Sequence, residues 1–350
     1  MGRRDVGDNL PMFIVFEAGP THTGLESAKR LAGHAKESGA DAVKFQITDH
    51  HRLITNRNLL FSYDVLVDKE TEKVETVTEP LIDIWERRYM PREDWKALKK
   101  YCDEIELDFF ATVFANGDVD LVCEMGCDSM KIASQDTNYY DLIKYAAGKG
   151  IPVQLDTGGN SLGEVERAVD WIRAQGNEQI IINHCPSGYP ARLESINLRM
   201  LKTLKRMFPY PVAFSDHTPG WEMDVAAVAL GANIVEKTIT LDRTTRGCEH
   251  MMSLEPPEMA GFVRIIRDVE IALGSNRRLM GGQELKSREK IRRSAYLERD
   301  VKAGERFRRE DVDFRRPGFG VKPDEYHYFI GMAYGKDLEA GHNIVPDDFQ

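Results

Sequence analysis

The stretch Gly39-Ala40-Asp41-Ala42-Val43-Lys44-Phe45-Gln46 decides how this chain is read. Upstream of it, Leu25, Ala28, Leu31, Ala32 and Ala35 recur at helical spacing, and Gly39 terminates that apolar stripe. Downstream, Ala42–Gln46 is a short apolar run with little polar alternation, as expected of a strand covered on both faces. A helix, a glycine stop and a buried strand make one unit of an α/β fold. Lys44 lies inside that strand, where an ammonium must find an anion, lose its proton or take the other face.

The same unit recurs along the chain. Strand-like runs are Met12–Glu17, Ala42–Gln46, Phe109–Val113, Met130–Ala133, Val153–Asp156, Ile180–His184, Val212–Ser215 and Ile234–Thr238. Amphipathic stripes lie between them, for example Trp95, Leu98, Cys102 and Ile105, and later Val165, Ala168, Val169 and Ile172. Eight such pairs predict an α/β fold of the (β/α)8 TIM-barrel type over residues 1–275. A doubly wound open sheet is the second choice, but no GxGxxG turn follows the first strand. Residues 47–91 break the short-loop rhythm, and a connection that long is expected to shape a substrate entrance or an oligomer contact. After Gly274 the texture changes: 276–293 reads as a polar, basic linker and 294–350 as a small, mainly β domain.

Composition narrows the class. A formal charge of −10 argues against a general nucleic-acid binder, without excluding a local cationic pocket for a small anion. The first residues lack the apolar core of a signal peptide, and no later stretch is apolar enough to span a bilayer. The five cysteines, Cys102, Cys123, Cys127, Cys185 and Cys248, show no metal or disulfide spacing, which points to reduced thiols in the cytoplasm.

In a barrel the chemistry sits at the C-terminal strand ends. Those ends carry Glu17 and His22, Lys44 and Gln46, Thr112 and Asn116, Lys131 and Ser134, Asp156 and Thr157, His184 and Ser187, Ser215 with Asp216 and His217, and Glu236 with Thr238. Such a mixture of cations, hydroxyls and amides suits a small polyanion. A lone strand-end lysine is usually a solvated rim residue; two lysines embedded in apolar strands, Lys44 and Lys131, are harder to dismiss. His184 reads equally well as a satisfied core imidazole, whereas His217, before the sharp turn Thr218-Pro219-Gly220, favours a site role.

In order and spacing, several segments resemble the N-acetylneuraminate (sialic acid) synthase family. They are Phe16-Glu17-Ala18-Gly19 with His22 and Gly24, Gly39–Gln46, Lys131-Ile132-Ala133-Ser134, Asp156-Thr157-Gly158, His184-Cys185 with Tyr189-Pro190, and Ser215-Asp216-His217-Thr218. Arg315-Arg316-Pro317-Gly318 is similar to the motif of that family's C-terminal antifreeze-like (SAF) domain. The resemblance implies a condensation of phosphoenolpyruvate with an N-acyl hexosamine aldehyde, releasing phosphate and forming a sialic-acid-like nonulosonate. It implies Lys44, Thr112, Lys131, Ser134, Ser187 and Ser215 around phosphoenolpyruvate, Glu17 as acid/base, and Gln46, Tyr189 and Glu249 toward the sugar. Arg316 would reach the barrel of a second copy in a domain-swapped homodimer.

The resemblance also implies a divalent metal, usually manganese, on two histidines. His217 matches the first, but Thr238 stands at the second, and threonine is a poor ligand for a transition metal. Asp156 stands where the family has a phosphate-binding serine; a carboxylate there would repel phosphate, and either offsets the lost imidazole or orients a neighbouring lysine. Thr21 and Phe319 also depart from the pattern. Two other classes compete: a Schiff-base aldolase on the same barrel, with Lys131 or Lys44 as nucleophile, and a non-catalytic homologue that binds a sugar acid or a partner protein.

Overall fold

Strands of a closed parallel barrel must alternate between a face packed inside the barrel and a face packed on helices, and the barrel strands of this chain obey that period. The computed structural model describes Gly2 and residues 4–350; Met1 and Arg3, part of the N-terminal stretch read for a leader, lie outside the described residues. Its strands are β1 (Phe13–Glu17), β2 (Ala42–Ile47), β3 (Leu60–Asp68), β4 (Lys73–Pro80), β5 (Asp108–Val113), β6 (Met130–Ile132), β7 (Val153–Asp156), β8 (Ile180–His184), β9 (Val212–Asp216), β10 (Ile234–Thr238), β11 (Ser294–Leu297) and β12 (Val312–Arg315). The order β1-β10-β9-β8-β7-β6-β5-β2 closes into a barrel, so the open-sheet alternative is set aside.

The chain forms two compact units, Met1–Gly274 and Ser275–Gln350. In the first, Phe13, Val15, Ala42, Phe110, Ile181, Ala213 and Ile234 fill the lower barrel interior. Outward-facing residues such as Ile14, Phe16, Val43, Phe45, Ile132, Leu155 and Val235 join the helix stripes Leu31–Ala35, Trp95–Cys102 and Val165–Ile172 in the main core. Helix starts follow their sequences: the Ser161 side chain caps Leu162–Arg173 by accepting from the Glu164 N–H, and the Ser161 N–H donates back to the Glu164 carboxylate.

Residues 47–91 are an ordered insertion. Helix His50–Leu53 leads into an antiparallel β3–β4 ribbon, and helix Leu81–Glu86 follows. The ribbon's first strand mixes apolar Leu60, Phe61, Tyr63, Val65, Leu66 and Val67 with Ser62, Asp64 and Asp68, and the charged residues around both strands made the segment read as a loop. Buried Glu79 on β4 accepts from Arg246 at 2.7 Å, while Lys69 at the ribbon tip reaches Glu255 at 2.5 Å and Asp242 at 2.9 Å. These contacts tie the ribbon to the segment after β10.

The second unit packs Ala295, Leu297, Val301, Phe307, Val312, Val321, Tyr334 and Ile344 around the antiparallel pair β11–β12. The segment read as a linker carries a helix, Gly282–Ile291, with no buried residue. No helix among the described residues is long and apolar enough to cross a membrane. All five cysteines are free thiols.

One buried charge belongs to the scaffold. Lys237 is fully buried on the helix-facing side of β10. It donates to Asp216 and to the Thr218 carbonyl at 2.6 Å, with Asp224 at 3.6 Å. Burial and the neighbouring Asp216 carboxylate push Asp224 well above the usual carboxylate range, so one ammonium balances one full carboxylate. Lys237→Met should therefore strand Asp216 and lower the unfolding free energy by roughly 3–5 kcal/mol. Urea titration measures this; a loss under about 1 kcal/mol would mean that the pair adds nothing net.

Candidate active site

The inner face that is apolar at the bottom of the barrel turns ionic at the top. Two residues beyond Val15, Ala42 and Ile234 stand Glu17, Lys44 and Glu236, and the register sets Glu17 beside Lys44 and Thr112 beside Lys131. The result is one continuous row of alternating charge. Lys44 Nζ lies 2.5 Å from Glu17 Oε2 and 3.0 Å from Glu236 Oε2. Lys131 Nζ lies 2.6 Å from the same Glu236 oxygen and 3.0 Å from Asp156 Oδ1. Asn183 Nδ2 adds a third donor to Glu236 Oε2 at 3.3 Å.

Electrostatics assigns charge states along the row. Burial alone would raise Glu236, but Lys131 and Lys44 outweigh it and hold the carboxyl down at about 2. Burial works against the charge on Lys131, yet Asp156 and Glu236 hold its proton well above the ordinary lysine range. Glu17 and Asp156, at the two ends, are both pushed up by burial against the pull of their lysines. Lys131, held between Glu236 and Asp156, is thus favoured as the ammonium.

Glu17, Lys44, Lys131 and Asp156 of the row line a cavity of about 460 Å³ together with Gln46, Thr112, Ser134, Tyr189, Ser215, His217 and Glu249. Asp156, held against Lys131, has the position of a lysine-orienting carboxylate. Ser187 lines a neighbouring cavity of about 380 Å³ with Thr157, Gly158 and His184 instead. Arg316 is exposed in the C-terminal unit. His184 is a satisfied core imidazole, its Nε2 at 2.7 Å from the Ile196 carbonyl.

Toward the mouth the cavity is lined by the insertion: Leu59, Phe61, Leu81, Ile84, Trp85 and Arg88. The Arg88 guanidinium lies 3.7 Å above the Trp85 ring. Glu249 is raised to about 7, chiefly by burial, with Arg88 opposing the shift. The His217 ring packs 4.8 Å from Tyr189 and shares a hydrogen bond with the Pro186 carbonyl at 3.1 Å. Burial lowers His217 to about 4, leaving a neutral imidazole at neutral pH.

These groups do not fit a two-histidine metal centre. Thr238 is buried at the end of β10, and Glu236 is committed to two lysines. No cluster of three or more His, Cys, Asp or Glu side chains disposed to hold a metal occurs among the described residues.

Sequence reading missed two features. Glu236 appeared only as one polar strand end, although its place two residues after Ile234 was a signal that it faces inward. Arg88 and Trp85 gave no signal, because the insertion that carries them read as a loop.

Comparison with known proteins agrees with this geometry. The NeuB family model matches residues 31–278, and the SAF domain model matches residues 292–350. The chain is 33% identical to N,N'-diacetyllegionaminic acid synthase of Legionella pneumophila subsp. pneumophila over 98% of its own length and 96% of the relative's. It is 32% identical to human N-acetylneuraminate-9-phosphate synthase over 86% of its own length and 82% of that protein's. The crystal structure of N-acetylneuraminic acid synthetase from Leptospira borgpetersenii serovar Hardjo-bovis superimposes with a TM-score of 0.71 at 30% identity, covering 82% of this chain and 93% of that one. The family model across the barrel, the second model across the C-terminal unit and relatives matched along most of the chain place it in the NeuB family, with a SAF domain at its C-terminal end.

Proposed function

We propose that this barrel condenses phosphoenolpyruvate with an N-acyl hexosamine aldehyde to give a sialic-acid-like nonulosonate. It is a carbon–carbon bond-forming synthase. The observation that carries the reading is the pair of buried ammonium groups, Lys44 and Lys131, on the floor of a sugar-sized cavity at the C-terminal strand ends. In this reading Lys131 takes the phosphate and Lys44 the carboxylate of phosphoenolpyruvate, with Thr112, Ser134 and Ser215 completing the anion site. C3 of phosphoenolpyruvate bonds to the aldehyde carbon, water adds its oxygen at C2, and the original C2–O bond breaks, the bridging oxygen and its electron pair leaving on phosphate. Glu17, at the edge of the row, manages the proton and water steps. Gln46, Tyr189 and Glu249 face the acceptor. Ser187, which the family resemblance puts at the phosphoenolpyruvate, lines the neighbouring cavity and has no part in this anion site.

The remaining assignments are cytoplasmic location, a barrel domain over 1–275 joined through 276–293 to a lid domain over 294–350, and a domain-swapped homodimer in which Arg316 enters the partner's site. Manganese is the ion that the family resemblance favours; among the described residues, His217 is the one histidine on the cavity wall that could ligate it.

An assay of phosphate release from phosphoenolpyruvate with a panel of hexosamines should show turnover for at least one, and Lys131→Ala should lose roughly 2–4 kcal/mol of transition-state stabilisation in kcat/KM. No release with any acceptor sinks the synthase reading, and near-normal turnover of the variant removes Lys131 from the site. For the metal, Thr238→His should bind manganese more tightly than the parent chain, by roughly tenfold or more, as read by metal content after dialysis; equal affinity would show that Thr238 is not beside an ion site. For the lid, mixing Arg316→Ala with Glu17→Ala subunits should restore activity that neither variant has alone. Verified heterodimers without rescue would refute the swapped arrangement.

A further inference from the structure

The row of charge on the barrel floor does not balance. Two ammonium groups, Lys44 and Lys131, face three carboxylates, Glu17, Glu236 and Asp156, within ion-pair distance. With all five ionised, the buried row carries one negative charge in excess. Phosphoenolpyruvate is itself a polyanion, and placing it over a net-negative floor out of water is strongly unfavourable. Neutralising one of the carboxylates within the row removes that excess before the ligand settles on it.

Geometry selects which one. Glu236 Oε2 touches both lysines and Asn183, and every one of those contacts favours its charged form. Glu17 is 2.5 Å from Lys44, and its Oε1 also accepts the Gly19 N–H at 2.6 Å, which favours the anion. Asp156 has a single ammonium contact, the 3.0 Å approach of Lys131, and Lys131 lies nearer to Glu236, at 2.6 Å. It is therefore the least compensated anion of the row. We propose that Asp156 takes up a proton from solvent as phosphoenolpyruvate binds, and then donates its O–H to the ligand's phosphate.

The groups around Asp156 agree. Lys131 from β6, Lys44 from β2 and Glu236 from β10 act on it directly, and the Cys185 thiol and Tyr189 hydroxyl stand close enough to feel its charge. Burial pushes its carboxyl upward, the direction that eases protonation. The neutral acid supplies a hydroxyl donor where the resembling family has serine, which removes the repulsion that an ionised carboxylate would bring. The proton crosses no redox step: it leaves a buffer acid, adds to Oδ of Asp156, and returns to solvent when the ligand leaves.

The inference rests on the phosphoenolpyruvate reading of the site, and calorimetry separates the two. Phosphoenolpyruvate is titrated into the full chain in two buffers of different ionisation enthalpy, between about pH 6.5 and 8.5, with Asp156→Asn, Asp156→Ser and Glu17→Gln as comparisons. Wild type should take up close to one proton more per site than Asp156→Asn or Asp156→Ser, and its Kd should rise with pH by up to about tenfold per unit. Asp156→Asn should still bind, with that pH dependence flattened. Equal proton uptake in wild type and both Asp156 variants would overturn the inference, since the proton would then sit on the ligand or elsewhere. Uptake lost in Glu17→Gln alone would overturn it in favour of Glu17. No binding by wild type at all would overturn the synthase reading, and this inference with it.

Discussion

Lys44 and Lys131 both rest on one oxygen of Glu236, and the upper half of the barrel is arranged around that contact. An ion taken out of water loses several kcal/mol of hydration, and it is retained inside a fold only where opposite charges and hydrogen bonds replace the solvent. A single carboxylate oxygen facing two ammonium groups and an amide meets that condition, but only if β2, β6, β8 and β10 hold a fixed register. A slip of one residue in β2 or β6 would turn its lysine out onto the helices and bring an apolar neighbour in. The ion row therefore specifies the barrel as much as the barrel holds the row.

The same constraint separates structural charge from chemical charge. Lys237 lies one residue from Glu236 and is just as buried, yet it points the opposite way and is spent on Asp216 and Asp224 between strand and helix. Strand parity alone makes one of the two neighbours scaffold and the other part of the site. The inner row keeps its ammonium groups pre-paired, so an incoming anion competes with carboxylates that are already in place. This costs binding strength and gives pre-organisation: the lysines need no reorientation when the ligand arrives.

The cavity is built from two sources with different rules. Its floor comes from strand ends, where the barrel dictates position to within a register step. Its mouth comes from the 47–91 insertion, where Trp85 and Arg88 are set by a ribbon anchored through Glu79 and Lys69. The insertion is held by the buried Glu79 and by Lys69 at its tip, outside the strand register that fixes the floor.

The strand runs and the helical stripes of the barrel were legible from the residues alone, because each is a local pattern: short apolar segments such as Ile180–His184, and stripes such as Val165–Ile172, are decided by neighbours in the chain. Motif spacing also marked Glu17, both lysines and His217. Closure of the sheet was not local, since β1 meets β10 only through the tertiary fold. The pairing of the ribbon in residues 47–91 was not local either, since Leu60 meets Pro80 and Asp68 meets Lys73 only when the two strands come together. The role of Glu236 lay equally beyond the sequence. Its partners are 192 and 105 residues away in the chain, and a carboxylate becomes the centre of a site only when distant strands bring both ammonium groups to the same oxygen.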